Sequence, residues 1–313
     1  MKAKMINKVS LEGYVYEHSL AIKESGPNSK KPGTKYIAGA INIATDDDCL
    51  NIVPVNYTYV TETTANGGAN RTYQVLAGLI DESIGTVMKH GKERAGKVRV
   101  DTSIALNEFY SDRNGTEELV SVKRNEGGFI HLTDTLSDNP LMRNMFECDI
   151  VITGVTRKEA DEEKEMPEKV IIKGGIFDFR KALLPVEFVA THPGAMDYFE
   201  SLEASASNPT FTKIRGQQIS QTIVSTVTEE SAFGDASVRE VRRSRKEYLV
   251  NWANPETYEW DTEGTITADE LKKAMADRET HLATLKTQRE QYKASQAASA
   301  SAVAQPASTD FKF

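Results

Sequence analysis

The chain has 313 residues, 39% hydrophobic and 27% charged, with a formal net charge of −8, an ordinary composition for a globular protein of roughly two domains. No run of about 18 apolar residues is present to span a bilayer, and the opening MKAKMINKVSLEG lacks the apolar core of a signal peptide, so a cytoplasmic protein is expected. Two cysteines, Cys49 and Cys148, and five scattered histidines exclude a disulfide framework and a structural zinc. The negative balance excludes coating of nucleic acid by bulk charge, but leaves room for a local basic groove.

Residues 7–23 alternate as a long, half-exposed strand. A Gly/Pro/Ser/Lys loop leads to a hairpin over 35–60, and the apolar periodicity of 72–89 predicts a helix. Period two returns over 97–110 and 118–134. The same order then repeats: a strand at 147–159, an acidic loop, a hairpin over 169–190, a helix over 192–205 with Pro193 suited to its first turn, and strands at 209–227 and 239–254. Gly13 aligns with Gly154, Gly39 with Gly174, and Val53-Pro54-Val55 with Leu184-Pro185-Val186. The pattern reads as a duplication, with a first domain over 1–140 and a second over 141–262. Thr267 and Glu270 then open a charged helix over 263–293 with a capping box. The Ala/Ser-rich stretch 294–313 is too poor in apolar bulk to pack and is expected to be a disordered tail.

Catalytic signatures are thin. Gly91 to Val98 fits much of a phosphate loop, but the order is helix before and strand after, and Val98 supplies no hydroxyl. Asp46, Asp47 and Asp48 form a hairpin tip that reads as a solvated turn, and the acidic run 161–165 as a solvated loop. No enzyme, cofactor or metal is required.

The informative feature is cationic charge interleaved with aromatic rings on strands. Arg239, Arg242, Arg243, Arg245 and Lys246 precede Tyr248 and Trp252; Lys213 and Arg215 follow Phe211; Phe179 and Arg180 sit in the second hairpin; Lys123 and Arg124 occupy the matching strand of the first half, and Tyr14 and Tyr16 its opening strand. A groove for single-stranded nucleic acid needs this pairing, cations for phosphates and rings for bases, at about 1–3 kcal/mol per stacked base. Period-two strands also bury alternate residues, so some of these rings belong to the core.

A strand, a hairpin, a helix and two more strands is the element order of the OB-fold, a small five-stranded barrel. Here the chain resembles OB-fold single-stranded DNA-binding proteins, in particular divergent phage or prophage types, through that order over 7–255 and through Asn7, Val9, Leu11 and Gly13 of the opening strand. The resemblance implies a mainly β chain of two tandem OB-like barrels that binds single-stranded DNA through Tyr14, Tyr16, Lys123, Arg124, Phe179, Arg180, Lys213, Arg215, Arg242, Arg243, Arg245, Lys246 and Trp252. It implies service in DNA replication, recombination or repair, and possible homo-oligomers. The family's tails end in several acids and Pro-Phe; this one has Asp310, Phe311, Lys312 and Phe313, which the resemblance makes a contact for replication or recombination proteins. The alternative is a virion or scaffold component working through protein contacts, and a third reading is a metal enzyme built on Asp46 to Asp48.

Overall fold

In the computed structural model, residues 5–112, 116–161, 166–229, 233, 237–262 and 265–303 are described. Strand β1 (Asn7–His18) turns Val9, Leu11, Gly13 and Val15 inward and sets polar residues between them. The strand expected over 7–23 breaks at Ser19–Leu20. Its remainder, β2 (Ala21–Glu24), is a short edge strand on β3 (Lys35–Ala44), which forms a hairpin with β4 (Ile52–Thr61). Helix α1 (Arg71–Ile80) starts at Asn70, whose side chain accepts the N–H groups of Thr72 and Tyr73. The helix expected over 72–89 stops early because Asp81 accepts the Ser83 N–H and Glu82 takes a left-handed φ of 66°. A separate turn, α2 (Val87–His90), leads to β5 (Lys97–Ser111) and β6 (Glu118–Leu132).

These strands close on themselves. β1 pairs with β3 and β5, β3 with β4, β5 with β6, and β4 with β6 in parallel at Val55–Asn125. The second half builds the same circuit from β7 (Asn144–Lys158), β8 (Lys169–Phe177), β9 (Leu183–Ala190), helix α3 (Pro193–Ser201), β10 (Thr210–Glu229) and β11 (Ser237–Ala253), with β9 and β11 parallel at Val189–Leu249. The chain is thus mainly β, and each half has the OB circuit.

The halves do not superpose by the glycines that reveal the repeat in the sequence. A β-bulge lies between Val15 and Glu17 in β1 and between Ile152 and Gly154 in β7. Matching these bulges sets Gly154 opposite Glu17. The two glycines also differ in role: a Cβ at Gly13 would lie 2.0 Å from the Ala44 oxygen, whereas one at Gly154 would meet only the Lys173 Cβ, at an ordinary 4.0 Å.

Strands β1 and β7 join the barrels through an antiparallel ladder from Asn7–Cys148 to Leu11–Asn144. Its central pair, Val9–Phe146, is also the pair that the bulge match makes equivalent, so the two opening strands meet about a local pseudo-two-fold axis. Behind the ladder a single apolar cluster runs through both barrels, from Leu11, Ile41 and Val100 to Phe146, Phe188 and Tyr248. Buried amides seal the junction. Asn125 and Gln218 exchange two 2.8 Å hydrogen bonds, Asn125 also donates to the Pro54 carbonyl, and Asn51 and Asn144 both donate to the Gln218 carbonyl.

Helix α4 (Ala268–Val303) begins with the expected reciprocal capping box, Thr267 and Glu270 each accepting the other's N–H at 3.1 Å. Leu271 and Ala274 pack on Val151, Phe177 and Phe211 of the second barrel. Farther on, Arg278 makes a two-pronged bond to the nearly buried Glu108 of β5, and Lys293 reaches Glu117 beyond it. The helix therefore docks on both barrels. It also runs ten residues into the stretch expected to be disordered, where alanine, the strongest helix former, is frequent. Residues 304–313 lie outside the described residues.

Replacing Gln218 with Leu removes both side-chain partners that it gives Asn125 and should cost about 1–3 kcal/mol, because a buried amide left unpaired loses its full desolvation penalty. Urea unfolding would show a lower midpoint, and adding Asn125→Leu should recover part of the loss.

Candidate nucleic-acid interface

The outer face of β7, β10 and β11 gathers three of the expected residues. Glu147, Arg215 and Trp252 are direct cross-strand partners in one row. Strict alternation would send Trp252 into the core behind Tyr248 and Val250, which are both buried. A bulge intervenes: Arg215 pairs with Trp252 but Gly216 pairs with Val250, so Asn251 is the extra residue and the tryptophan turns outward. The Arg215 guanidinium lies 4.5 Å from the centre of the indole, a cation–π stack. Lys213, one step along β10, shares the Glu147 carboxylate with Arg215, at 3.3 and 3.2 Å. Two cations thus share one carboxylate beside an exposed ring, with the buried Asp149 behind Lys213. Burial works against the Lys213 ammonium, but its hydrogen bond to Glu147 and the nearby Asp149 outweigh it and raise its pKa.

Trp252 also forms one wall of a largely apolar cleft of about 440 Å³ between α3 and β11, floored by Tyr198 and Phe199. Strands β10 and β11 continue past the barrel as a two-stranded ribbon, paired from Gln221–Arg245 to Glu229–Ser237. The ribbon carries the arginine-rich segment. The backbones of Arg242 and Arg243 pair with Val224 and Ile223, and their side chains lie outside the described residues. Lys246 is exposed. Arg245 is half-buried and bonded to Glu247, which also holds Lys169.

Other expected residues are placed elsewhere. Phe179 is 84% exposed with Arg180 over its ring at the β8–β9 tip. That tip precedes β9, whereas Trp252 lies beside His192, past the strand's far end, so the two rings do not converge. Lys123 lies in the junction of the barrels: its ammonium donates to the Glu187 carbonyl at 2.7 Å and sits over the Tyr248 ring, and burial lowers its pKa despite Glu187 and Glu247. Arg124 is held by Glu126. Tyr14 and Tyr16 point outward from β1, with Lys92 over the Tyr14 ring. Asp310, Phe311 and Phe313 lie outside the described residues.

A second cluster escapes sequence reading. Tyr36 of β3 and Tyr59 of β4 pack with ring centroids 4.5 Å apart, near exposed Lys23 of β2, Lys30 and Lys31 of the loop before β3, and Lys35 at the start of β3. The signal was present as lysines around Pro32 and Gly33, but the rings that complete it come from separate strands. The acidic hairpin tip has structural work. Asp46 accepts the N–H groups of Leu50 and Asn51, and Asp47 binds the buried Arg143 at 2.8 Å, a bond that lowers its pKa. Among the described residues no group of three or more histidine, cysteine, aspartate or glutamate side chains is placed to hold a metal ion, and no helix is long and apolar enough to cross a membrane.

The YorF family model matches residues 5–288 of the chain. No curated protein matches the sequence. Among solved structures, a deletion mutant of the single-stranded DNA binding protein from Thermus aquaticus matches over 84% of this chain and 100% of its own, at 10% identity and a TM-score of 0.46.

Asp149, beside the cluster, gives a pH test. Its carboxylate accepts the Ile6 N–H at 2.7 Å but is almost wholly buried, and burial raises its pKa against the opposing pull of that bond and of Lys213. A carboxyl whose folded pKa lies above its unfolded value stabilises fully below the unfolded pKa, and that contribution is lost as pH rises through the folded pKa. Asp149→Asn should therefore be more stable than the native chain at neutral pH, with the difference shrinking toward pH 4. Urea midpoints measured from pH 4 to 8 would show it.

Proposed function

The chain belongs to the YorF family, and we propose that it binds single-stranded DNA with little sequence preference. The observation that carries this reading is the cluster of Lys213, Arg215 and Trp252 at the root of the arginine-rich ribbon. Cations there face a strand's phosphates, and an exposed ring offers a stacking surface to any base. The Tyr36–Tyr59 pair with its lysines supplies the same chemistry on the first barrel, on the strands and loop where OB barrels receive oligonucleotides. We read residues 1–140 and 141–262 as the two barrel domains. On this account the protein acts by binding rather than by chemistry. It covers DNA during replication, recombination or repair in the cytoplasm, in a phage setting, and Asp310, Phe311 and Phe313 recruit partner proteins or further copies.

One observation favours the assembly reading instead. Leu50, Leu141 and Met142 are exposed around the Asp47–Arg143 ion pair at the junction of the barrels, an apolar patch of the kind that protein contacts use.

Anisotropy of a labelled oligo-dT, titrated at low and moderate salt with duplex as control, separates the two. Binding is expected to the single strand and to weaken with salt, and Lys213→Ala and Arg215→Ala should each flatten the log–log salt slope by about 0.7. Trp252→Ala should cost about 1–3 kcal/mol. A fixed oligomer that ignores oligo-dT at micromolar protein and low salt would overturn the proposal in favour of assembly.

A further inference from the structure

The bulge match extends across the strands and singles out a residue that sequence reading left aside. Ser10 of β1 and Glu147 of β7 stand at equal distances before their bulges. Their partners on the next strand are Asp101 of β5 and Arg215 of β10, and the partners of these are Phe129 of β6 and Trp252 of β11. In both barrels a second bulge follows at once: Asp101 pairs with Phe129 but Ser103 with Glu126, just as Arg215 pairs with Trp252 but Gly216 with Val250. In the first barrel Gly127 and Gly128 take φ of 67° and 97°, and a Cβ at Gly128 would lie 1.9 Å from the Asp101 oxygen, so glycine is required for the turn. Phe129 therefore stands where Trp252 stands. It is 69% exposed, a large ring with no packing role that accounts for it.

The two rings share one surface. Because β1 pairs with β7, the outer faces of β6, β5, β1, β7, β10 and β11 are continuous, and direct partners share a face. The path runs from Phe129 through Asp101 and Ser10 to Lys8, across the seam to Glu147, and on to Arg215 and Trp252. Lys8 is exposed, 3.3 Å from Asp101, two strands from Phe129 and three from Trp252. Five strand spacings of about 4.8 Å separate the ends by about 24 Å.

Resting on the reading of the protein as a single-strand binder, we propose that Phe129 is a second base-stacking residue, and that one strand crosses the seam between Phe129 and Trp252 with Lys8 facing its backbone. The seam face is then a binding track shared by both barrels, separate from the Tyr36–Tyr59 face.

The test uses the full chain and dT oligomers of about 4 and about 16 nucleotides, the range one such barrel covers, read by anisotropy at low salt. Phe129→Ala should weaken the long oligomer about tenfold, Phe129→Tyr should retain binding, and Phe129→Ala should reduce the advantage of the long oligomer over the short one. Unchanged urea midpoints would confirm that the exposed ring was removed without loss of fold. If Phe129→Ala binds the long oligomer like the native chain while Trp252→Ala does not, the track is wrong and single-strand binding stands. If the native chain binds neither oligomer, both fall.

Discussion

The pairing of β1 with β7 is the constraint on which the rest of the structure depends. Two small barrels linked by one chain segment would ordinarily be free to reorient. Here five residue pairs of backbone ladder, a common apolar cluster and a buried set of amides fix them to each other. The amides bind tightly to place because each would be costly to bury alone: Gln218 satisfies Asn125, Asn51 and Asn144 at once. Helix α4 adds a clamp from outside, its apolar turn on the second barrel and Arg278 on Glu108 of the first. The result is a continuous sheet whose outward side belongs to both halves.

On that sheet, bulges decide which residues reach solvent. A β-strand without interruption assigns every second residue to the core. One inserted residue reverses the assignment for all that follow. In β11 this takes Trp252 out of the core and sets it against Arg215, and in β6 the glycine pair does the same for Phe129. The charge beside the rings differs, since Asp101 occupies the place of Arg215. At this position the barrels differ in side chain and not in framework.

The order of elements, the doubling and the capping box of α4 were legible in the sequence because each is a local signal: periodicity, turn residues and a Thr-x-x-Glu spacing. The register of the repeat was not. Gly13 and Gly154 invite an alignment that the bulges displace, since a glycine marks close backbone approach at Ala44 in one case and only an ordinary side-chain contact in the other. The fate of single cations was equally hidden. Lys123 and Arg124 look like free charge on a strand, yet one is committed to Glu187 and Tyr248 across the barrel junction and the other to Glu126. The Asp46–Asp48 tip looked like a solvated turn, but its distant partner Arg143 makes it part of the junction. Except for Arg124 and Glu126, these partners lie far apart in the chain, and such contacts leave no mark that spacing can show.

Tryptophan fluorescence tests the central claim most directly. The chain has two tryptophans. Trp260 packs in the cluster beneath α4, whereas Trp252 stands on the outer face against Arg215. Saturating oligo-dT at low salt should quench the emission, the quench should survive Trp260→Phe and vanish in Trp252→Phe, and duplex should leave it unchanged. Emission unaltered by oligo-dT that is bound, or a quench that follows Trp260, would contradict the placement of the strand on this face.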